Sequence, residues 1–360
     1  MSQIQQQLLK TGDFLAITRQ YPQQLPEAFS FTLTHPQSQL QTLVSVLDTG
    51  VISFEPIEQF TDSDVVLSSA IHGNETAPIE ICQQLIQELI LGKIELKQRV
   101  LFLFGNPESI NIGERFVEEN LNRLFSGAHS DGEGLFNNER KRALALENYV
   151  RDFFDQGAII SGDRQRFHYD LHTAIRGSKN DKFAVYPFLN GKAYSKQQLQ
   201  FLLSCGINTI LLSHSPTTTF SYFSANEFSA HAFTVELGKV EPFGQNDMTK
   251  FAKTKQSLTT LITTHNPCFG EFNGSEFNIF EIYKIINREH ENFTFTFADD
   301  AQNFTDYPVE HVLAIDGSTE HKVTVPGEAI IFPNANVALG QRALLTVIPV
   351  KVSDLVFTDK

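Results

Sequence analysis

The sequence predicts an α/β fold, a mixed central sheet flanked by helices, followed by a small all-β domain. Short apolar runs alternate with helix-period segments from about residue 40 to residue 265. From His265-Asn266-Pro267 onward, short strands and turns replace that alternation, and no convincing long helix follows. At 360 residues the chain is long for one compact domain, so a larger unit (1–265) and a smaller one (266–360) are expected.

Taken in order, the strand candidates of the larger unit are QLQTLVSVLD, DVVLSSA, RVLFLFG, RFHYDLHT, KFAVYP, NTILLSH and HAFTVEL. After Pro78, which suits a first helical turn, Ile79, Cys82, Leu85, Ile86, Leu89 and Ile90 recur at a helical period. NERKRALALENYVRDFFDQG and SKQQLQFLLSCG read as further helices, the second closed by Gly206. NDMTKFAKTKQSLTTLIT offers Asn246 or Asp247 as its cap. The smaller unit contributes FNIFEIYKII, NFTFTFA, HKVTVPGEAIIFPNANVAL and ALLTVIPV. Between Ile112 and Asn137 runs a long irregular connection, a class of segment that is often functional.

Net charge is −14 and there is no Lys/Arg run, which argues against nucleic acid and anionic membranes as partners. A small anionic substrate would need its own local arginines or lysines. Cys82, Cys205 and Cys268 show no paired spacing, as fits a reducing compartment. The first residues, MSQIQQQLLKTGDFLAITRQ, carry no apolar leader core, and no stretch is long enough to span a bilayer; a cytoplasmic address is expected.

His72 and Glu75, in HGNETAP, sit where the strand DVVLSSA hands over to a helix. His172 ends RFHYDLHT, and strand C-termini of an α/β sheet gather at one edge. Three such ligands hold a catalytic zinc with a position left for water. A lone His-x-x-Glu is common by chance, and a His near a strand end is usually a satisfied polar residue. The conjunction at three strand ends favours a metal site, with His168, His214 and His231 as spare candidates. Glu236 ends HAFTVEL and suits a general base. Taken alone it would more commonly be a capping or surface carboxylate, and Glu227 and Glu241 are rivals that end no strand. Arg115 and the pair Asn122-Arg123 offer carboxylate-binding groups from the loop, although single loop arginines are usually just solvated. Arg176 and Lys179 follow His172 closely and are expected to add positive potential. Asp170 shares a strand face with His172 and is a candidate brace for it. The residues by themselves describe a zinc hydrolase acting on an anion.

Together HGNETAP, NP followed by ERF and NLNR, DLHT and VELG resemble the zinc carboxypeptidase superfamily and, more narrowly, its succinylglutamate desuccinylase/aspartoacylase family. DLHTAIRGSKNDKFAVYP and FPNANVALGQRALLTV look like the branch that acts on succinylated glutamate. The resemblance implies a zinc carboxypeptidase-like fold and a cytoplasmic amidohydrolase of arginine catabolism by the succinyltransferase pathway. Its substrate would be N-succinyl-L-glutamate, its products succinate and L-glutamate, and its cofactor one Zn2+ per subunit. It also implies His72, Glu75 and His172 as ligands, Glu236 as general base and acid, and Arg115 as the group that polarises the scissile carbonyl. Asn122 and Arg123 would grip one substrate carboxylate, with Arg176 and Lys179 serving another. The arginine that aspartoacylases carry shortly before the catalytic Glu is missing, and Asn226 lies in its place. An aspartoacylase, another N-acyl amino acid deacylase, a peptide carboxypeptidase and a non-catalytic binder of acyl amino acids are the alternatives.

Overall fold

A computed structural model describes residues 1–57, 59–162 and 164–359. Two helices open the chain, α1 (Gln3–Thr11) and α2 (Phe14–Gln20), with the Ser2 and Asp13 side chains accepting the Gln5 and Ala16 amides. Strands β1 (Phe29–Thr34), β2 (Gln41–Asp48) and β3 (Val51–Pro56) form an antiparallel meander. The expected alternation follows as β4 (Ser63–Ser69), α3 (Thr76–Ile90), β5 (Arg99–Phe104), α4 (Pro107–Ile112), α5 (Asn138–Ile160) and β6 (Gln165–Ala174). It continues with β7 (Phe183–Tyr186), β8 (Tyr194–Ser195), α6 (Lys196–Ser204), β9 (Thr209–Leu212), α7 (Phe220–Phe228), β10 (His231–Lys239) and α8 (Ala252–Thr263).

No further α-helix occurs among the described residues. The C-terminal part holds β11 (Asn278–Asn287), β12 (Thr294–Phe295), β13 (Thr305–Asp306), β14 (Val312–Asp316) and β15 (Thr319–Lys322). It ends with β16 (Ala329–Ile331), β17 (Arg342–Val350) and β18 (Phe357–Thr358). The segment HKVTVPGEAIIFPNANVAL holds the end of β15 and all of β16, separated by a turn at Pro326-Gly327, and NFTFTFA pairs only at Thr294–Phe295.

Thirteen of these strands share one sheet, ordered β1-β2-β3-β5-β4-β6-β10-β7-β9-β11-β17-β16-β13. Its middle, β5-β4-β6-β10, is parallel, and every residue of β4 and β5 is buried, as expected of strands covered on both faces. The sheet does not stop at residue 266: β9 pairs in parallel with β11, Thr209 opposite Asn278. Phe183 and Leu211 share a core with Phe304, Ile331 and Leu345, so the two parts of the chain pack as neighbours. Among the described residues no helix is long and apolar enough to cross a membrane.

At the sheet edge where β4 and β5 begin, Asp64 is fully buried between Arg99 (2.7 Å) and Arg164 (2.8 Å). Removing one member of a buried ion cluster strands the others without compensation. Asp64→Ala should therefore cost about 3–5 kcal/mol in urea unfolding, with turnover per folded molecule retained. A loss below about 1 kcal/mol, the scale of a surface pair, would contradict this.

Candidate metal centre

The opposite edge, where β4, β6 and β10 end, carries the chemistry. After Ser69 the chain turns through Ala70, held in the left-handed region at φ 57°, and delivers His72. Strained residues of this kind concentrate where a structure must aim a side chain. Gly73 follows because there is no room for more: a Cβ there would lie 2.1 Å from the Ser109 carbonyl carbon of α4. Glu75 is the N-cap residue of α3, but its carboxylate makes no capping bond and is free to face the site.

His72 Nδ1 lies 2.8 Å from Glu75 Oε1, and His172 Nδ1 lies 2.9 Å from Glu75 Oε2. One ligand atom from each of the three residues falls within 4.8 Å of the others, and all three side chains are buried. The ring orientations are set from behind. Asn120 Oδ1 already accepts the Asn122 amide (3.0 Å), so it is an acceptor, and His72 Nε2, also at 3.0 Å, must be the donor. That leaves the His72 Nδ1 lone pair directed into the cluster. In the same way His172 Nε2 donates to Asp170 Oδ2 at 2.9 Å.

Asp170 is itself held by a buried polar chain. Ser68 donates its hydroxyl to Asp170 Oδ1 (2.6 Å) and meets His168 Nε2 (2.8 Å), while His168 Nδ1 meets Ser224 of α7 (2.7 Å). Such outer partners fix the tautomer of a ligating histidine and raise its basicity. Asp170→Asn should keep the fold and weaken zinc binding about 10- to 100-fold, measured by competition with a chromogenic chelator. An unchanged affinity would exclude the brace.

Electrostatics agree with this geometry. Burial, helped by Arg115, pushes the His72 imidazole down to about 4, so it is neutral at physiological pH. Burial opposes charge on Glu75, yet His72 and His172 hold its carboxyl well below the usual range. Burial likewise opposes a charged His172, but Asp170 and Glu75 lift it well above the ordinary histidine value. His72 Nδ1 is a buried nitrogen without a hydrogen-bond partner despite its short approach to Glu75. Two nitrogens and a carboxylate that converge in this way fit a divalent metal of the zinc type. No other cluster of His, Cys, Asp and Glu among the described residues does so. Of the spare histidines, His168 belongs to the polar chain, His214 pairs with Glu281 (2.8 Å), and His231 lies against Phe167 with ring centroids 5.7 Å apart.

Glu236 is the register partner of His172 across the β6–β10 pair. It is 7% exposed, and its Oε2 is buried without a partner. Burial pushes its carboxyl up to about 7, against the opposing pull of His172. Of the rivals, Glu227 binds Arg151 (2.6 Å), and Glu241 is exposed beyond the end of β10.

The loop after β5 brings three of the expected groups close. Arg115 Nη1 reaches Glu75 Oε1 at 2.6 Å. Asn122 is buried, and its Oδ1 accepts the Phe220 amide (3.2 Å); Arg123 Nη1 donates to the Asn122 carbonyl (2.9 Å). Buried Glu139 of α5 shapes this loop, accepting the amides of Val117 (2.6 Å), Glu118 (2.9 Å) and Glu119 (2.8 Å). Arg176 and Lys179 do not join the group. The Arg176 guanidinium donates to the Asp299 carbonyl, and Lys179 pairs with Asp306 (3.0 Å), so both cations fasten the segment after β6 to the C-terminal part. Asn226 lies in α7 beside Tyr222.

Sequence reasoning passed over Asn120, Glu139, Ser68 and Ser224. Asn120 opens NLNR, and its spacing from His72 gives no sign of contact. Glu139 had no local signal either, because the amides it accepts lie some twenty residues earlier in the chain.

A model of the succinylglutamate desuccinylase/aspartoacylase catalytic domain matches residues 61–262, and one of the AstE/AspA barrel-sandwich hybrid domain matches residues 275–350. A Shewanella pealeana protein named succinylglutamate desuccinylase is 52% identical over 340 residues, covering 94% of this chain and 96% of that protein. One of the same name from Shewanella frigidimarina is 53% identical over 342 residues, covering 95% and 97%. A solved Vibrio parahaemolyticus structure of that name superposes with a TM-score of 0.81 at 34% identity, covering 94% of this chain and 95% of that one. With the catalytic-domain match spanning His72, Glu75, His172 and Glu236 and the C-terminal β-rich part matched as well, this chain belongs to the succinylglutamate desuccinylase/aspartoacylase family.

Proposed function

We propose that the protein is a zinc-dependent amidohydrolase that converts N-succinyl-L-glutamate to succinate and L-glutamate, one step of arginine catabolism in the cytoplasm. One observation carries the reaction class: the buried convergence of His72, Glu75 and His172 with an uncommitted carboxylate, Glu236, one strand away. The substrate follows from relatives about half identical over nearly the whole chain, each named succinylglutamate desuccinylase.

His72, His172 and Glu75 would hold one zinc ion per subunit, which would supply an acidified water and a Lewis acid for the amide carbonyl. Glu236, pushed up to about 7, has the affinity of a group that both takes and returns a proton near neutral pH. It removes a proton from the attacking water and delivers it to the amide nitrogen as glutamate departs. Arg115 directs positive charge at the carbonyl oxygen as that oxygen becomes anionic. Asn122 and Arg123 hold a carboxylate and set the distance to the scissile bond. Arg176 and Lys179, engaged with Asp299 and Asp306, anchor the loop that follows His172.

The test is a substrate panel on purified, zinc-loaded protein: N-succinylglutamate, N-acetylaspartate and a dipeptide with C-terminal glutamate. Free amino acid released from the succinyl substrate alone supports the proposal. Preferred hydrolysis of N-acetylaspartate or of the dipeptide would replace it with the aspartoacylase or carboxypeptidase reading.

A further inference from the structure

The charges of Arg115 and Arg342 both act on Arg123, and of the three only Arg115 has an acidic partner among the described residues. Arg115 is met by Glu75. Arg123 uses one N–H on the Asn122 carbonyl, and Arg342, the first residue of β17, makes no side-chain hydrogen bond or ion pair with any described residue. Burial, with the like charges of Arg342 and Arg115, pushes Arg123 down to about 9, and burial pushes Arg342 down to about 10. Arg123 and Arg342 have no acidic partner among the described residues, and an anion bound between them would offset their repulsion.

The position of Arg342 is set by an aromatic stack. Its guanidinium carbon lies 6.0 Å from the Phe332 ring centroid, and that ring lies 5.7 Å from the ring of Phe183. Phe183 is the register partner of Glu236 across β7 and β10. The C-terminal part thus carries a cation to the wall behind the proposed base. Among the described residues, the buried polar atoms without a partner include Glu236 Oε2 and His72 Nδ1 but no nitrogen of Arg123 or Arg342. Their unused N–H groups remain open to a ligand. In a chain of net charge −14, two half-buried arginines without carboxylates form a local exception, suited to bidentate binding of an anion.

We propose that Arg342 binds a second carboxylate of the substrate, next to the one held by Asn122 and Arg123, so that a polycarboxylate substrate bridges the catalytic part and the C-terminal β-rich part. The inference rests on the N-acyl glutamate reading above. With the glutamate α-carboxylate taken by Asn122 and Arg123, two carboxylates of such a substrate remain for Arg342, the glutamate side chain and the far end of the succinyl group. Phe332 gives Arg342 a rigid apolar shelf and loosens its hold on water, which strengthens its grip on an anion.

The test compares zinc-loaded wild type, Arg342→Ala and Arg342→Lys on N-succinylglutamate, N-succinylglutamine and N-butanoylglutamate. Arg342→Ala should lower kcat/KM for N-succinylglutamate about 10- to 100-fold, chiefly through KM, with partial recovery in Arg342→Lys. One analogue should be turned over as well by the variant as by wild type. The glutamine analogue identifies the glutamate side chain as the group held, and the butanoyl analogue identifies the acyl terminus. Normal turnover of that analogue also shows that the variant is folded. An equal loss on all three substrates, or no loss on any, overturns the proposal. Calorimetric binding of succinate and glutarate reads the same site without turnover: weaker binding by Arg342→Ala supports it and unchanged binding overturns it. Failure of wild type on N-succinylglutamate would refute the substrate, while the calorimetry still decides the role of Arg342.

Discussion

Glu236→Gln retains its zinc and loses hydrolysis of N-succinylglutamate by about 10²- to 10⁴-fold. The substitution keeps the shape of a side chain that is buried opposite His172 and removes only its ability to carry a proton. Burial already favours the neutral carboxyl, pushing it up to about 7, so a neutral amide is tolerated without loss of fold. The carboxylates nearest to it are engaged: Glu75 with His72 and His172, and Asp170 with His172 and Ser68. Stopped assays of glutamate release, with zinc content measured on the same sample, provide the check. A variant with a near-normal rate would move the base elsewhere.

Glu75→Gln has a different signature, in which metal and activity leave together. This one carboxylate contacts His72, His172 and Arg115. Replacing it removes the only anionic ligand of the set and leaves Arg115 facing an amide. Zinc affinity should fall by more than about 100-fold, the upper end for a residue one shell further out. The same cluster fixes a pH dependence. Without metal, Asp170 and Glu75 keep His172 protonated well above its ordinary range, whereas His72 is already neutral. Zinc must displace the proton on His172 Nδ1, so uptake should weaken as pH falls, with about one proton released there per zinc bound. Calorimetry in buffers of different ionisation enthalpy measures that proton. Zinc uptake by Glu75→Gln with wild-type affinity would remove Glu75 from the ligand set.

The parallel strands were legible because burial on both faces leaves continuous apolar runs such as DVVLSSA and RVLFLFG. The same property made strand ends visible, and with them His72, Glu75, His172 and Glu236. β1 was legible but passed over: FSFTLT alternates apolar with polar residues at the strand period, half-buried with exposed, on an edge strand. The six residues of α4 and the nine of α7 were too short for a periodic signal, and α7 is rich in serine and aromatic side chains. The continuity of the sheet through β9 and β11 was hidden, because a change of local pattern near residue 266 says nothing about which strands pair. Arg176 and Lys179 show the limit of proximity in sequence. Both follow His172 closely, yet the chain carries them away to Asp299 and Asp306.

The most direct test of a zinc amidohydrolase site at His72, Glu75 and His172 is a titration of chelator-stripped protein with zinc, followed by N-succinylglutamate hydrolysis at each point. The rate should start near zero, rise in proportion to zinc, and level off at one equivalent per chain. Full turnover by the metal-free protein, or a rate indifferent to zinc up to one equivalent, would contradict it.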